Sequence, residues 1–309
     1  MKRKDLKAHI DGICQKRGVP LYFDRFEPDN TFSDGTDIHL EVIAAKKSRA
    51  TVVFMPGTNA YCLLYGEFLC ALADAGFSIV AFDPRGHGQS GGARGSYTID
   101  ELLADMRSAV LYAKKRFGLP VAVSGSSQGG ITSFYYAAAF DDALCAVCHN
   151  AADLSDPSSV LLTRFPAVSR FLKPFAPLAA RLAPEAKIPM SLYLDLAAEP
   201  VRNMGNAKEL IKSDPLLFDF VRLKTLASLG SAKTARPVEQ IQTPVQVLHA
   251  EKDNIFPADY IKKLFNRLTC KKDLKIYPGL PHYMIADFVG VFAPDVVNWL
   301  NENLAAAGV

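Results

Sequence analysis

No apolar stretch in the 309 residues reaches the length that spans a bilayer. The basic start Met1 to Lys7 lacks the apolar run of a secretory leader, so a signal is not expected and the chain reads as cytoplasmic. A charge excess is missing too. Lys and Arg number 35 and Asp and Glu 32, and the net +3 is too small to argue for nucleic acid. The six cysteines, at 14, 62, 70, 145, 148 and 270, show no disulfide framework for a cytoplasmic protein. Cys145 and Cys148 form C-x-x-C on a predicted strand, where that spacing points them to opposite faces; core packing is expected rather than metal ligation. What is left is 49% apolar and 22% charged, a globular composition able to bury a large core.

Alternation of short apolar runs with helical periodicity is present over most of the chain. Strands are predicted near 37–43, 51–55, 78–82, 121–124, 143–148, 245–248 and 274–277, with helices between them. Leu63 to Ala75 ends at Gly76, a helix-stop signal. Thr98-Ile99-Asp100-Glu101 is a capping box, opening a helix with Leu103, Met106, Val110 and Leu111 on one face. A last helix is predicted over Pro294 to Leu304, burying Val297, Leu300 and Leu304. This order predicts an α/β fold, a mostly parallel central sheet with helices on both faces. Residues 1–18 read as a polar helix ending at Gly18, part of an N-terminal appendage over 1–30. Between Ala152 and Val238 no strand signal appears, and the segment reads as helical or irregular, with prolines at 157, 166, 174, 177, 184 and 189.

Gly125-Ser126-Ser127-Gln128-Gly129 has the form G-x-S-x-G and lies between a predicted strand and a predicted helix. That context places the central serine on a sharp turn as an exposed nucleophile. A serine hydroxyl needs a base, and the base a third group to orient it. In a fold with this elbow the acid and then the histidine follow the serine. Of the histidines beyond Ser127, His149 and His249 fall in or at the end of apolar runs and read as core residues. His282 follows Gly279-Leu280-Pro281 in a loop and is the expected base. Asp253, just past the strand over 245–248, is the expected acid, with Glu251 as its competitor. The oxyanion donors should be the backbone N–H groups of Gln128 and of Thr58, in the loop after the strand over 51–55. Pro56 has no N–H to offer.

Together these residues resemble the α/β-hydrolase superfamily, and within it the monoacylglycerol lipase and lysophospholipase-like serine hydrolases. Gly57 and Tyr65 match the family's H-G-x-G-E-H-S-x-R-Y segment. Asp83-Pro84-Arg85-Gly86-His87-Gly88-Gln89-Ser90 is similar to its D-x-R-G-H-G-x-S turn, Asp214-Pro215-Leu216 to its D-P-L, and Ala250 to Asp253 to its G-x-x-D acid turn. Pro56 stands where the family has histidine, Asn59 where it has glycine, and Ser126 where its elbow has histidine. The resemblance makes His87 a structural turn residue. It implies a catalytic core over 31–151 and 238–309, with a helical cap over 152–237.

The implied function is hydrolysis of a carboxylic ester with an apolar acyl group, through Ser127, His282 and Asp253 and an acyl-enzyme, needing no metal or cofactor. Peptidase, thioesterase and C–C hydrolase reactions use the same triad, and a non-catalytic ligand receptor on this fold is the reading from another class. In the cap, Leu161, Leu162, Phe165, Phe171 and Phe175 lie among Arg164, Arg170, Lys173 and Arg181, with no acid from Ser158 to Pro184. They read either as an apolar underside with snorkelling basic residues, or as a lid admitting acyl chains and resting on an anionic membrane. The expected partner is a small-molecule ester; oligomeric state is not legible.

Overall fold

The computed structural model describes residues 1–308. Helix α1 (Arg3–Arg17) stops where Gly18 takes a left-handed φ of 68°. Its Leu6, Ile10, Ile13 and Cys14 are buried in one of the two main cores. The helix is therefore built into the body of the protein and differs from the separate appendage that its polar composition suggested.

Strand β1 (Glu27–Ser33) pairs antiparallel with β2 (Thr36–Ile43). The sequence reading lacked β1 because its exposed residues do not alternate. The legible signal was Asp34-Gly35, whose φ values of 47° and 78° make the two-residue turn of a tight hairpin. The chain then runs through β3 (Ala50–Met55), α2 (Gly66–Asp74), β4 (Phe77–Phe82), α3 (Ile99–Phe117), β5 (Val121–Ser126), α4 (Gln128–Ala139) and β6 (Ala146–His149). The capping box at Thr98 and Glu101 forms as read. The buried stripe of α3, however, is Leu102, Met106, Ala109, Val110 and Ala113; Leu103 sits at its edge and Leu111 is half exposed.

The next segment carries α5 (Pro166–Leu172), α6 (Ala176–Leu182), β7 (Lys187–Pro189), α7 (Ala207–Ser213), β8 (Phe220–Arg222) and α8 (Leu223–Leu229). Strands β7 and β8 pair antiparallel as a separate small sheet, too short to leave a periodic signal in the sequence. Then follow β9 (Val245–Ala250), α9 (Ala258–Arg267), β10 (Lys272–Tyr277), α10 (Met284–Asp287) and α11 (Val289–Ala306). Helix α11 begins before the predicted start and carries Pro294 inside it; Leu300 and Leu304 are buried and Val297 is half-buried.

The main sheet has the order β1-β2-β4-β3-β5-β6-β9-β10, parallel from β4 through β10 and antiparallel at β1 and β2. Strand alternation splits the core in two. Val52 and Phe54 face the layer of α1, α2 and α11; Val53 and Met55 face that of α3, α4 and α9. All six cysteines are unpaired, and Cys145 and Cys148 are buried. Among the described residues no helix is long and apolar enough to cross a membrane.

Candidate active site

Glycine shapes the turn at Ser127. Strand β5 ends at Ser126, α4 begins at Gln128, and Ser127 between them holds φ 54° and ψ −112°, a sparsely populated conformation for a residue with a side chain. A Cβ on Gly125 would sit 2.3 Å from the Gly129 carbonyl carbon, and one on Gly129 would sit 2.1 Å from the Met55 carbonyl oxygen. A Cβ on Gly130 would lie 2.4 Å from the Asn150 carbonyl oxygen, so this glycine too is required by packing. Only glycine lets the helix close on the strands here.

Ser127 opens onto a cleft, partly open to solvent, which Thr58 and His282 also line. Asp253 stands beyond the end of β9 with a fully inaccessible side chain. Its Oδ2 accepts from His282 Nδ1 at 2.7 Å and from Asn150 Nδ2 at 2.7 Å. Its Oδ1 accepts from the N–H groups of Ile255 and Phe256, both at 2.8 Å. Burial alone would raise this carboxyl's pKa, but the His282 ring and the N–H donors outweigh it and hold it well below the usual range. Burial likewise disfavours a charged His282, and the Asp253 carboxylate overcomes this, so the imidazole pKa is raised. The Phe256 ring lies parallel to that of His282, with the ring centres 5.7 Å apart. Glu251 turns elsewhere, accepting from the Gly279 N–H at 2.8 Å on the surface. Of the two candidate acids, Asp253 is the one that touches His282. No hydrogen bond joins the Ser127 hydroxyl to His282 among the described residues; such contacts are often long before substrate binds.

The loop after β3 supplies Thr58 to the cleft, and Gln128 opens α4. Neither backbone N–H enters the hydrogen bonds of the turn or helix, which leaves two donors free. Asn59 adopts φ 61°, a left-handed conformation that asparagine tolerates, so the family glycine is not needed there. Its Nδ2 donates to the Phe218 carbonyl at 2.5 Å. His87 is fully buried and bonds the Arg85 carbonyl at 2.9 Å, with burial lowering its pKa to about 4. It does not line the cleft.

His149 and His249 are fully buried, as a core reading requires, yet both stand close to Asp253. His249 Nδ1 donates to Asn150 Oδ1 at 2.7 Å, which orients the amide so that its Nδ2 faces Asp253. His149 pairs with Ser126 Oγ at 3.1 Å, its ring centre 5.4 Å from that of His282; burial drives its pKa to about 3 and keeps it neutral. His149, Asp253 and His282 bring ligand atoms within 4.8 Å of one another, a grouping able to hold a metal ion, although Asp253 and His282 already bond each other.

Sequence reasoning missed two residues. Asn150, at φ 63°, follows β6, and its place at a strand's carboxyl end was the available signal. Glu199 has no such signal. It is only 2% exposed, lines the cleft, and leaves Oε2 without a partner. Burial raises its pKa to about 7. The five cap residues expected at the substrate do not reach it. Leu161, Phe165, Phe171 and Phe175 face solvent, Leu162 packs on the core, and none lines the cleft. The cap wall is instead Met190, Leu194, Leu196, Glu199, Ala207 and Ile211. The sequence shows that a stretch is apolar; which way it turns is a tertiary matter.

Comparison with known proteins agrees with this architecture. The profile of a family described as serine aminopeptidase, S33, matches residues 46–288. A monoacylglycerol lipase of Mycolicibacterium smegmatis is 28% identical over 295 residues, covering 93% of this chain and 95% of the lipase. The crystal structure of a Paleococcus ferrophilus monoacylglycerol lipase superimposes with a TM-score of 0.70 at 24% identity, over 86% of this chain and 99% of the other. A soluble variant of the monoglyceride lipase of Saccharomyces cerevisiae, in complex with a substrate analogue, gives 0.74 at 20% identity, over 90% and 95%.

Proposed function

We propose, since the chain belongs to the serine aminopeptidase S33 family of α/β-hydrolases, that it is a serine hydrolase cleaving carboxylic esters with an apolar acyl group, in the manner of a monoacylglycerol lipase or lysophospholipase. The observation that carries this reading is the buried Asp253–His282 pair, 2.7 Å apart, on the same cleft as Ser127 at its strained turn.

Ser127 Oγ attacks the ester carbonyl while His282, its Nδ1 engaged by Asp253, accepts the proton on Nε2. Asp253 holds the tautomer and stabilises the imidazolium. The free N–H groups of Thr58 and Gln128 receive the oxyanion. His282 then protonates the leaving alcohol, and water activated by the same ring releases the acid from Ser127. The apolar acyl group is supported by Met190, Leu194, Leu196 and Ile211 on the cap side and Ile255 and Ile285 on the core side.

The family's description as serine aminopeptidase supports amide hydrolysis as the second reading, with the same residues in the same roles. Labelling with a fluorophosphonate probe and assay on p-nitrophenyl esters beside anilides tests both. Ser127→Ala should lose labelling and ester hydrolysis together, by up to about a millionfold in kcat. Retention of a large share of activity on pure, folded protein would overturn the assignment, and anilide turnover above ester turnover would favour the second reading.

A further inference from the structure

Beside the Asp253–His282 pair stands a third imidazole that the ester mechanism does not use. His149 ends β6, between Ser126 at the end of β5 and the turn after β9 that carries Asp253. The residue is fully buried, and its ring centre lies 5.4 Å from that of His282. Nδ1 is engaged by Ser126 Oγ at 3.1 Å, whereas Nε2 has no partner among the described residues. A buried polar atom left so costs about 1–3 kcal/mol and asks for an explanation. The Ser126 hydroxyl also bonds the Tyr65 hydroxyl. With its proton turned to Tyr65, Ser126 Oγ accepts from His149 Nδ1–H. That tautomer leaves a bare lone pair on Nε2.

His149, Asp253 and His282 each offer one ligand atom, and all three lie within 4.8 Å of one another. Burial keeps His149 neutral, and Asp253 is ionised, the forms that bind a metal. Two imidazoles and one carboxylate suit zinc(II); magnesium takes oxygen donors. Three protein ligands leave a fourth position for water. Zinc bonds of about 2.0–2.2 Å set neighbouring ligand atoms about 3.3 Å apart in a tetrahedron. Asp253 Oδ2 and His282 Nδ1, now 2.7 Å apart, would part slightly, and His149 would close in. The way in is the cleft, which His282 lines.

We infer that His149, Asp253 and His282 form an inhibitory zinc site, with His149 Nε2 as the ligand atom that catalysis leaves idle. The ion enters between Asp253 Oδ2 and His282 Nδ1. The single proton of the neutral His282 ring moves from Nδ1, now on the metal, to Nε2. That is the atom that must accept the Ser127 proton, so the base is blocked until the ion leaves.

The test is calorimetric binding of zinc chloride to the full chain carrying Ser127→Ala, beside fluorophosphonate labelling of the wild-type chain. Binding is independent of the ester-hydrolase reading and labelling rests on it, so the two fail separately. Labelling absent without zinc counts against that reading and not against the site. One zinc per chain should bind in the micromolar range and stop labelling, EDTA should restore it, and magnesium should do neither. His149→Asn keeps an N–H donor for Ser126 and removes Nε2. This variant should still be labelled and should bind zinc about a hundredfold more weakly. Cys270→Ser, which removes the one cysteine that is not buried, should bind zinc as its parent does. Zinc K-edge absorption on the Ser127→Ala chain decides even if His149→Asn does not fold: two imidazole neighbours support the site, and a sulfur neighbour overturns it. No binding in the micromolar range, or binding that His149→Asn leaves unchanged, would also overturn it. Bound zinc that leaves labelling untouched would overturn the inhibitory role.

Discussion

Asp253 has every lone-pair direction occupied: His282 and Asn150 on Oδ2, two backbone N–H groups on Oδ1. Asp253→Asn keeps the shape but sets an NH2 group where two N–H donors met an oxygen, and in serine proteases the like replacement costs about 10⁴ in rate. The same loss in kcat is expected here, against a few-fold change at most for Glu251→Gln, whose carboxylate only accepts from Gly279 on the surface. A larger loss at Glu251 would reverse the assignment. Glu199 sets a second prediction. The Asp253 carboxylate raises the His282 pKa against its burial, and Glu199, whose own pKa burial raises to about 7, adds to the rise where it is ionised. A base must be neutral to act, so kcat/KM should be lost as pH falls through a midpoint above the ordinary imidazole value of about 6.5. His149 and His249, the other titratable rings beside Asp253, both have pKa values lowered by burial and stay neutral through that range. Glu199→Gln removes the charge and should move the midpoint to lower pH; an unmoved or higher midpoint would remove Glu199 from the account.

At the scale of elements, the turn between β5 and α4 is a packing problem that three glycines solve. Gly129→Ala puts a methyl against the Met55 and Pro56 carbonyls, at 2.1 and 2.7 Å before any shift. Overpacking of this kind costs about 1–3 kcal/mol or more, and activity should fall with it as the turn moves. Gly12→Ala in α1 is the control, since nothing lies within 4 Å of the new methyl. It should stabilise by about 0.5–1 kcal/mol; urea titration of the two variants reads both. The cap segment around Met190 to Leu196 makes a third test. If Leu196 and Ile211 wall an acyl channel, kcat/KM should climb from acetyl to medium-chain esters by about 0.8 kcal/mol per buried methylene. Leu196→Ala should then move the plateau to longer chains, whereas Phe171→Ala on the outer face should not affect a dissolved substrate. An acetyl preference would point to a small or polar substrate.

Across the whole molecule, the N-terminal helix ties distant parts together. Arg17 is buried and pairs with Asp287 at 2.9 Å, which also accepts the Arg202 N–H at 2.8 Å from the cap. His9 meets Asp214 Oδ2 at 3.0 Å, and Tyr61 donates to the same oxygen at 2.8 Å. One helix thereby braces α10, the cap at Arg202 and Asp214, and the loop after β3 at Tyr61. Breaking a buried pair by removing one partner costs about 3–5 kcal/mol. Arg17→Met should lower stability by that order in urea titration, more than Arg25→Met, whose partner Asp74 is two-thirds exposed. Equal losses would mean that α1 is held by its apolar stripe alone.

The sequence by itself determined the alternation of strands and helices, the turn at Ser127 and the chain order of the candidates Ser127, Asp253 and His282. These are local or linear properties: hydrophobic period, glycine spacing and chain order survive without knowing any partner. It also carried the hairpin signal Asp34-Gly35, legible in a dipeptide though β1 beside it was not. Tertiary structure decided what depends on direction and distance. Asp253 and Glu251 differ by two residues in the chain, and only the approach of His282 at 2.7 Å separates them. Asn150 and Glu199 come to the site from the end of β6 and from the cap, where a lone polar residue has no pattern to mark it. The apolar period of residues 165–182 was legible as a face, but a period carries no sign. Whether that face turned to the cleft or to the outside was settled by how α5 and α6 pack on the rest of the chain.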